Sequence, residues 1–577
     1  MTRLRHPLKA TPAVSKARSA RDLPATPASS SSQTLLARFD QPGRWLTALL
    51  VLALFLVALG FNVYQIGTPS IWFDEALSVT RARQSLPVLF QIVSVTQPNM
   101  ALYYFLLHFW LSFMGLFGIH ATELVVRLPS VFFSAIDTVI LYFLARRFFG
   151  SLVAIFAALF YLLNTLQLTY AQETRSYTLQ LLFLSLSWYA LLVLFSSDLS
   201  RRRERNWWIC FVLSSALAMY TQLFSELVLA TQALVIVLWL FLPTAWRARA
   251  RKRLRPLVIS WVCFGLLSAP ILYASRVGSK TGWLAIPTPG DVYRLFLTIS
   301  AQSKILLGLF ALAILLGLLV ALLAALPSGQ QPLKRLALLP KDEEEARRWR
   351  QRFLQLLPLA ILLLCWMLCP VAISYIVSQK STRLFSPRYL VVIVPALILL
   401  VALGLSVLRW RVARLVLGLC LLLLCLRYVP NYYHNAQVED WRTGTQWLQQ
   451  QYQPGDGLIC YDNSQGCAVD IEYYLQAYPF GSAHFDADSP GYFPWVDYDT
   501  TNHLGAYQQA LDTTAIQIYG EKHPRLFFGL GRASASNPQV QAALQWLNTH
   551  YRLITRESTS TLTFYLFDTT AYAPHLV

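Results

Sequence analysis

The chain has 577 residues, 55% of them hydrophobic and only 13% charged, with a net charge of +19; soluble globular chains carry about 25% charged residues. Apolar runs near the roughly 20 residues that cross a bilayer as helix recur along it, which excludes a soluble protein and indicates a polytopic α-helical membrane protein. Nucleic acid is excluded as the partner of the positive charge, because the arginines gather in short clusters between apolar runs, as in loops that fix membrane orientation.

Residues 1 to about 40 are rich in Ser, Pro, Ala and basic residues without apolar periodicity, and read as a disordered cytoplasmic tail. The run from Trp45 to about Ile66 is too long for a cleaved signal peptide and reads as a signal-anchor span. "SIWFDEALSVTRARQ" (70–84) follows, placing the adjacent carboxylates of Asp74 and Glu75 just beyond that span. Further spans are expected at 124–147, 152–169, 177–196, 207–224, 226–242, 256–275, 303–326, 353–377, 388–407 and 411–428.

The run Met100 to Phe117 decides the topology. As a twelfth crossing it would put Arg146, Arg147 and every later arginine cluster outside. As an amphipathic helix at the interface it leaves about eleven spans, with all clusters cytoplasmic and the C-terminus outside. The outward loops are then 67–123, 170–176, a turn near 225, 276–302 and 378–387. Trp207, Trp208, Trp246, Trp261 and Trp283 near span ends read as interface anchors. Asp137 and Asn164, inside apolar runs, read as hydrogen-bonding partners between helices.

From about 431 to 577 the composition becomes that of a soluble, extracytoplasmic domain. "VEDWRTGTQWLQQQY", "AVDIEYYLQAY" and "NPQVQAALQWLNTHY" have helical spacing, whereas "LICY", "RLFFGLG" and "STLTFYLF" read as strands, together a small α/β domain. Cys460 and Cys467 lie there, spaced for a disulfide in an oxidising compartment. The cysteines show no metal-type spacing.

Outward acids and outward arginines carry the chemistry. Glu173 and Arg175 sit in "TYAQETRSYTL" (169–179) between Tyr170 and Tyr177; Arg383 and Arg388 sit in "STRLFSPRYLVVIVPAL" (381–397), before Tyr389. Arginines on the less favoured side of a membrane point to an anion, above all a phosphate. The carboxylates of Asp74 and Glu75 fit three roles at this stage: helix capping, an ion site, or a general base acting on a hydroxyl. A transporter or flippase for a lipid-linked or anionic solute is the alternative to an enzyme, but acids clustered in loops and the lack of repeated halves favour the enzyme.

The order and spacing of "WFDEA" (72–76), "QPNMALYYFLLHFWLSFMG" (97–115), "RLPSVFFSAIDTVILYFLARRFFG" (127–150), "AQETRSYTL" (171–179), "YTQLF" (220–224) and "PRYLVVIVPAL" (387–397) carry a resemblance over roughly residues 45–430. The chain resembles the GT-C-fold glycosyltransferases that use polyprenyl-phosphate sugars, close to family 39, with the protein O-mannosyltransferases and the aminoarabinose transferase of lipid A. It departs where Gln97-Pro98-Asn99 replaces a frequent His-Pro-Pro, and where Gln222 replaces the His of Tyr-Thr-His-Tyr.

The resemblance implies an inverting transfer from a polyprenyl-phosphate donor to an acceptor hydroxyl on a lipid, glycan or protein, needing one base rather than the carboxyl pair of a glycosidase. It assigns the base to Asp74, with Glu75 positioning the acceptor or holding the loop, roles that could be exchanged. Arg388 and Arg383 would stabilise the departing phosphate, with Lys380, Lys304 and Arg276 as further candidates. Glu173, Arg175, Tyr177, Tyr103, Tyr104, Gln222 and Tyr389 would line the substrate site. A divalent cation, Mg or Mn, bridging Asp74 and Glu173 stays open, with no third ligand in view.

Overall fold

A computed structural model describes residues 43–242, 245–277, 281–282, 284–325, 333, 342–380, 382–436, 438–461, 468–477, 512–531, 537–559 and 561–570. The expected N-terminal tail, Trp283 and Cys467 lie outside these residues.

The helices of seven or more residues, in chain order as far as His434, are α1 Arg44–Val63, α2 Phe73–Ala82, α3 Ala101–Leu116, α4 Glu123–Phe149, α5 Ser151–Leu162, α6 Thr165–Ala171, α7 Tyr177–Ser196, α8 Arg201–Thr221, α9 Ser225–Phe241, α10 Ala245–Lys252, α11 Leu254–Ala274, α12 Pro289–Ile299, α13 Lys304–Ala325, α14 Glu343–Ser378, α15 Pro387–Ser406 and α16 Arg411–His434. Among the described residues eight are each long and apolar enough to cross a membrane. Two bent pairs, α5 with α6 and α9 with α10, bring the number to at most ten. The eleventh expected span, α8, is not in that set. Its first turn holds Arg201, Arg202, Arg203, Glu204 and Arg205, leaving too short an apolar stretch. Helix α3, expected at the interface, has 16 residues and is likewise shorter than a span.

The helices run between two chemically different ends. At one end lie Arg146 and Arg147 (end of α4), Arg201–Arg205 (start of α8), Arg251 (end of α10), Arg253 and Arg255 (start of α11), Arg347–Arg352 (start of α14) and Arg411 (start of α16). At the other end are α2, the turn between α6 and α7, the break between α8 and α9, and the start of α15. Small residues allow close helix crossings inside the bundle. A Cβ on Gly404 of α15 would stand 2.1 Å from the Ala313 carbonyl of α13, the approach that glycine permits between membrane helices.

Polar residues within the bundle bond across helices, as expected for Asp137 and Asn164. Tyr161 donates to the Asp137 carboxylate at 2.5 Å, and the Asn164 amide donates to the Ile299 carbonyl at 2.7 Å. Trp208 and Trp246 correct the interface-anchor expectation. Both are buried, Trp208 edge-on to Phe195 and Phe211 and Trp246 beside Trp239, so they fill the core.

After α16 the chain forms helices α17 Trp441–Gln451, α18 Ala468–Ala477, α19 Thr513–Gly520 and α20 Pro538–His550. Its strands are β1 Gly457–Tyr461, β2 Arg525–Leu530, β3 Arg552–Ser558 and β4 Thr563–Asp568. The sheet order is β1-β2-β4-β3, with β1 parallel to β2 and the other pairs antiparallel. Successive strand residues point to opposite faces. Leu458, Phe527 and Leu566 accordingly pack with Trp441, Leu448 and Tyr473 on one face, and Ile459, Phe528 and Phe567 with Ile516, Val540 and Leu547 on the other. Cys460 is disulfide-bonded.

The first of these cores is shared with α2. Ile71, Ala76, Leu77 and Val79 join the cluster of Trp441, Tyr474 and Phe564. The loop carrying Asp74 is therefore wedged between the helical bundle and the sheet-bearing region.

Candidate active site

Asp74 and Glu75 are neighbours in sequence but face different sides, because consecutive helix positions are rotated by about 100°. Both lie in the first turn of α2, where carboxylates favour the positive helix end. Asp74, Leu77 and Arg81, at i, i+3 and i+7, share the face that lines a cavity of about 410 Å³. Glu75 points the other way and is 0% exposed.

Glu75 is clamped. Arg127 of α4 donates to it twice, Nε to Oε1 at 2.9 Å and Nη2 to Oε2 at 2.6 Å, and the Thr174 amide donates to Oε1 at 2.7 Å. The remaining donors of Arg127 reach the carbonyls of Ile66 and Pro69 (Nη1, 2.7 and 2.8 Å) and Ser70 (Nη2, 3.1 Å). All five guanidinium N–H groups are thus satisfied. Arg127 ties the first loop to α2, and Glu75 extends the tie to the turn before α7. Of the roles expected for Glu75, this geometry suits holding the loop rather than positioning an acceptor or exchanging roles with Asp74, since its side chain does not line the cavity.

Asp74 is 21% exposed at its side chain and faces two arginines. Arg388, in the first turn of α15, donates from Nη1 to Asp74 Oδ2 at 3.0 Å, and its guanidinium carbon stands 5.7 Å from the Trp72 ring centroid. Arg175 donates from Nη1 to the Asp74 carbonyl at 3.1 Å and to Ser78 Oγ at 3.2 Å, while its Nη2 lies 3.8 Å from Asp74 Oδ2. Arg175 and Arg388 both line the cavity.

The remaining walls come from separate elements. Asn99 accepts from the Leu223 amide at 3.0 Å, and Gln222 accepts from Ser176 at 3.3 Å, so both departures from the family pattern stand on one wall. Met100, at φ +70°, closes the Gln97–Asn99 turn in a conformation uncommon for a side-chain-bearing residue. Arg81 donates to Tyr104 at 2.8 Å, and Tyr389 stacks on Phe224 with centroids 5.7 Å apart. Glu226 also lines the cavity.

Several expected site residues stand elsewhere. Tyr103 is buried behind the cavity, hydrogen-bonded to Ser130 at 3.1 Å, and Tyr177 packs against Tyr170 with centroids 4.5 Å apart. Arg383 folds back onto the Ser378 and Lys380 carbonyls and so is engaged in closing the end of α14. Arg383, Lys380, Lys304 and Arg276 do not line the cavity, and Arg276 lies over Tyr273. Arg81 and Arg127 were not singled out from sequence. Arg81 was accessible through the seven-residue spacing from Asp74, whereas nothing local marked Arg127.

Glu173 sits behind the ion pair. Its Oε2 is enclosed, with no hydrogen-bond partner among the described residues. Burial, then the neighbouring Glu75 charge, push its carboxyl from 4.5 up to about 8, against the pull of Arg388 and Arg175. The folded state therefore holds a proton that the unfolded chain releases near pH 4.5, so stability from this group is full below that pH and is lost as pH rises through about 8. Glu173→Gln is expected to flatten the pH dependence of the unfolding midpoint between pH 5 and 8; an unchanged slope would assign it to other groups.

The donor set does not fit a metal centre. Among the described residues no three His, Cys, Asp or Glu side chains converge, and Asp74 already faces two guanidiniums. A bridging cation would have two carboxylates and would compete with Arg388.

The sheet-bearing region reaches the same loop. Tyr474 of α18 accepts from the Ile71 amide at 2.7 Å and donates to Glu123 at 2.8 Å, and Arg442 of α17 bonds Glu123 at 2.8 Å through Nε. Glu439 accepts from the Phe73 amide at 3.3 Å, at the start of α2. Tyr474→Phe leaves a buried amide and carboxylate short of a partner, costing about 1–3 kcal/mol. Faster proteolysis of the 67–100 loop in folded protein is the expected readout, and an unchanged rate would mean that the contact does not hold the loop.

Residues 99–273 match the family model described as dolichyl-phosphate-mannose-protein mannosyltransferase. No curated protein sequence matches the chain significantly. Among solved structures, ArnT from Cupriavidus metallidurans in the apo state aligns with a TM-score of 0.55 at 15% identity, covering 92% of this chain and 100% of that one. The same protein bound to undecaprenyl phosphate aligns at 0.54, again with 15% identity and coverage of 92% and 100%. The chain thus has the GT-C glycosyltransferase fold that its motifs resemble, built on membrane-spanning helices.

Proposed function

We propose that this integral membrane protein is an inverting glycosyltransferase that moves a sugar from a polyprenyl-phosphate donor to an acceptor hydroxyl. The observation that carries the reading is the contact of Asp74 Oδ2 with Arg388 Nη1 at 3.0 Å inside the cavity, with Arg175 beside it. Similarity to a fold whose relative ArnT binds undecaprenyl phosphate supports the donor class.

The acceptor oxygen attacks the anomeric carbon from the face opposite the phosphate. Its proton passes to an Asp74 oxygen, the new C–O bond forms, and the bond to phosphate breaks with its electron pair going to the phosphate oxygen. Arg388, held by the Trp72 ring, and Arg175 receive that growing negative charge. In the substrate-free protein the same arginines neutralise Asp74, and an incoming phosphate competes for them and frees the carboxylate. Because phosphate leaves readily, the reaction needs no general acid.

The arginine clusters at the end of the bundle away from the cavity support an orientation with the N-terminus and those clusters cytoplasmic. The cavity and the sheet-bearing domain (431–577) are then extracytoplasmic, at the outer face of the plasma or inner membrane. Arg388→Gln tests the reading with membranes supplied with radiolabelled polyprenyl-phosphate sugars. Transfer is expected to fall about 10²–10³-fold, and wild-type transfer by this variant would remove the arginine from the mechanism.

A further inference from the structure

A second cavity, of about 520 Å³, opens between α8 and α11. Its lining follows one face of α8, Arg201, Arg205, Trp208, Ile209 and Val212, at the spacing of four and three residues that keeps side chains in line. Across it stand Pro256, Ile259, Ser260 and Cys263 of α11. Gln222, which ends α8, lines the first cavity. The arginine mouth of the groove is therefore about 30 Å from Gln222 along the helix, and its far end, at Leu213, about 14 Å from it.

The groove is apolar along its length and cationic at one end. Glu204, the acid at that mouth, is already paired with the buried Arg253 at 2.9 Å, and Arg253 also donates to the Leu194 and Ser197 carbonyls. Arg201 and Arg205 form no salt bridge among the described residues, and both are exposed. Arg201 also opens a 21-residue helix, whose N-terminus adds its own positive field. A ligand with one anionic end and an aliphatic tail matches this arrangement; a soluble anion would leave the apolar length wet, and a neutral lipid would leave both guanidiniums unmatched.

The geometry points to a bound anionic glycerophospholipid, its phosphate held by Arg201 and Arg205 and one acyl chain lying between α8 and α11. This site is independent of the transfer reaction, and its occupant would stiffen a helix that runs from the arginine cluster to the cavity wall. Positive-inside charge alone would also place arginines here, so the test removes equal charge from two places. Arg202 and Arg203 share the helix turn but do not line the groove.

Intact protein carried from detergent into native mass spectrometry with phosphatidylglycerol is expected to retain one lipid in the wild type and in R202Q/R203Q. R201Q/R205Q should lose it by about tenfold, and phosphatidylcholine of the same chains should not replace it. Ile259→Trp, which fills the acyl seat and keeps every charge, should also lose it, and gives a second readout if the arginine variant folds poorly. Glycerol phosphate should not compete. Equal retention by the two arginine pairs, equal retention of phosphatidylcholine, or displacement by glycerol phosphate would each overturn the proposal.

Discussion

Asp74→Asn is expected to lower sugar transfer about 10²–10⁴-fold, the usual contribution of a positioned base. The substitution keeps the shape of the side chain and an oxygen that still accepts from Arg388, so the unfolding midpoint should change little, and the donor should be held at least as well because its phosphate no longer competes with a carboxylate for the arginines. What is lost is the capacity to take the acceptor's proton. The measurement is single-turnover transfer from a radiolabelled polyprenyl-phosphate sugar, with donor binding followed separately. Equal transfer by both proteins would refute the base. Solute flux that depends on Asp74 in membranes where no sugar turns over would instead favour a transporter.

The location of this site was legible in the sequence, because it rests on local signals. The carboxylates after the first apolar run, the arginines at 175 and 388 on the disfavoured side, and the break at Gln222 each announce themselves within a few residues. Asp74, Arg175, Gln222 and Arg388 converge on one cavity, whereas Glu75 turns away from it. The alternation in "STLTFYLF" likewise reads as the strand that forms over Thr563–Asp568. Strand Arg552–Ser558 was missed because its exposed positions and its bulge at Leu553/Thr555 break the alternation.

What could not be read is which of two adjacent carboxylates faces the cavity, since that depends on the rotation of α2 about its axis. The rotation is fixed by partners far along the chain: Arg127 on α4, Thr174 before α7, and Trp441 and Tyr474 in the sheet-bearing region. The reading of Arg383 failed for a local reason instead. Its sequence position beside Arg388 suggested a shared phosphate, but the nearest acceptors of its guanidinium are the carbonyls that close α14.

Arg127→Leu is expected to cost about 3–5 kcal/mol, the penalty for leaving one charge of a buried pair uncompensated. Glu75 would remain fully enclosed with only the Thr174 amide as partner, and the Ile66, Pro69 and Ser70 carbonyls would lose their donors. The unfolding midpoint should fall with expression, and any folded fraction should transfer slowly, because displacing Asp74 by about 1 Å costs on the order of 10²-fold. Pairing the change with Glu75→Leu removes the stranded charge and should restore part of the stability, yet not the loop carbonyls' partners, so activity should stay low. This separates the two carboxylates. Asp74 variants should be stable and inactive, whereas variants of the Glu75–Arg127 pair should lose stability first. If Arg127→Leu unfolded at the wild-type midpoint, Glu75 would not be pinned, and a direct part for it in proton transfer would have to be reconsidered.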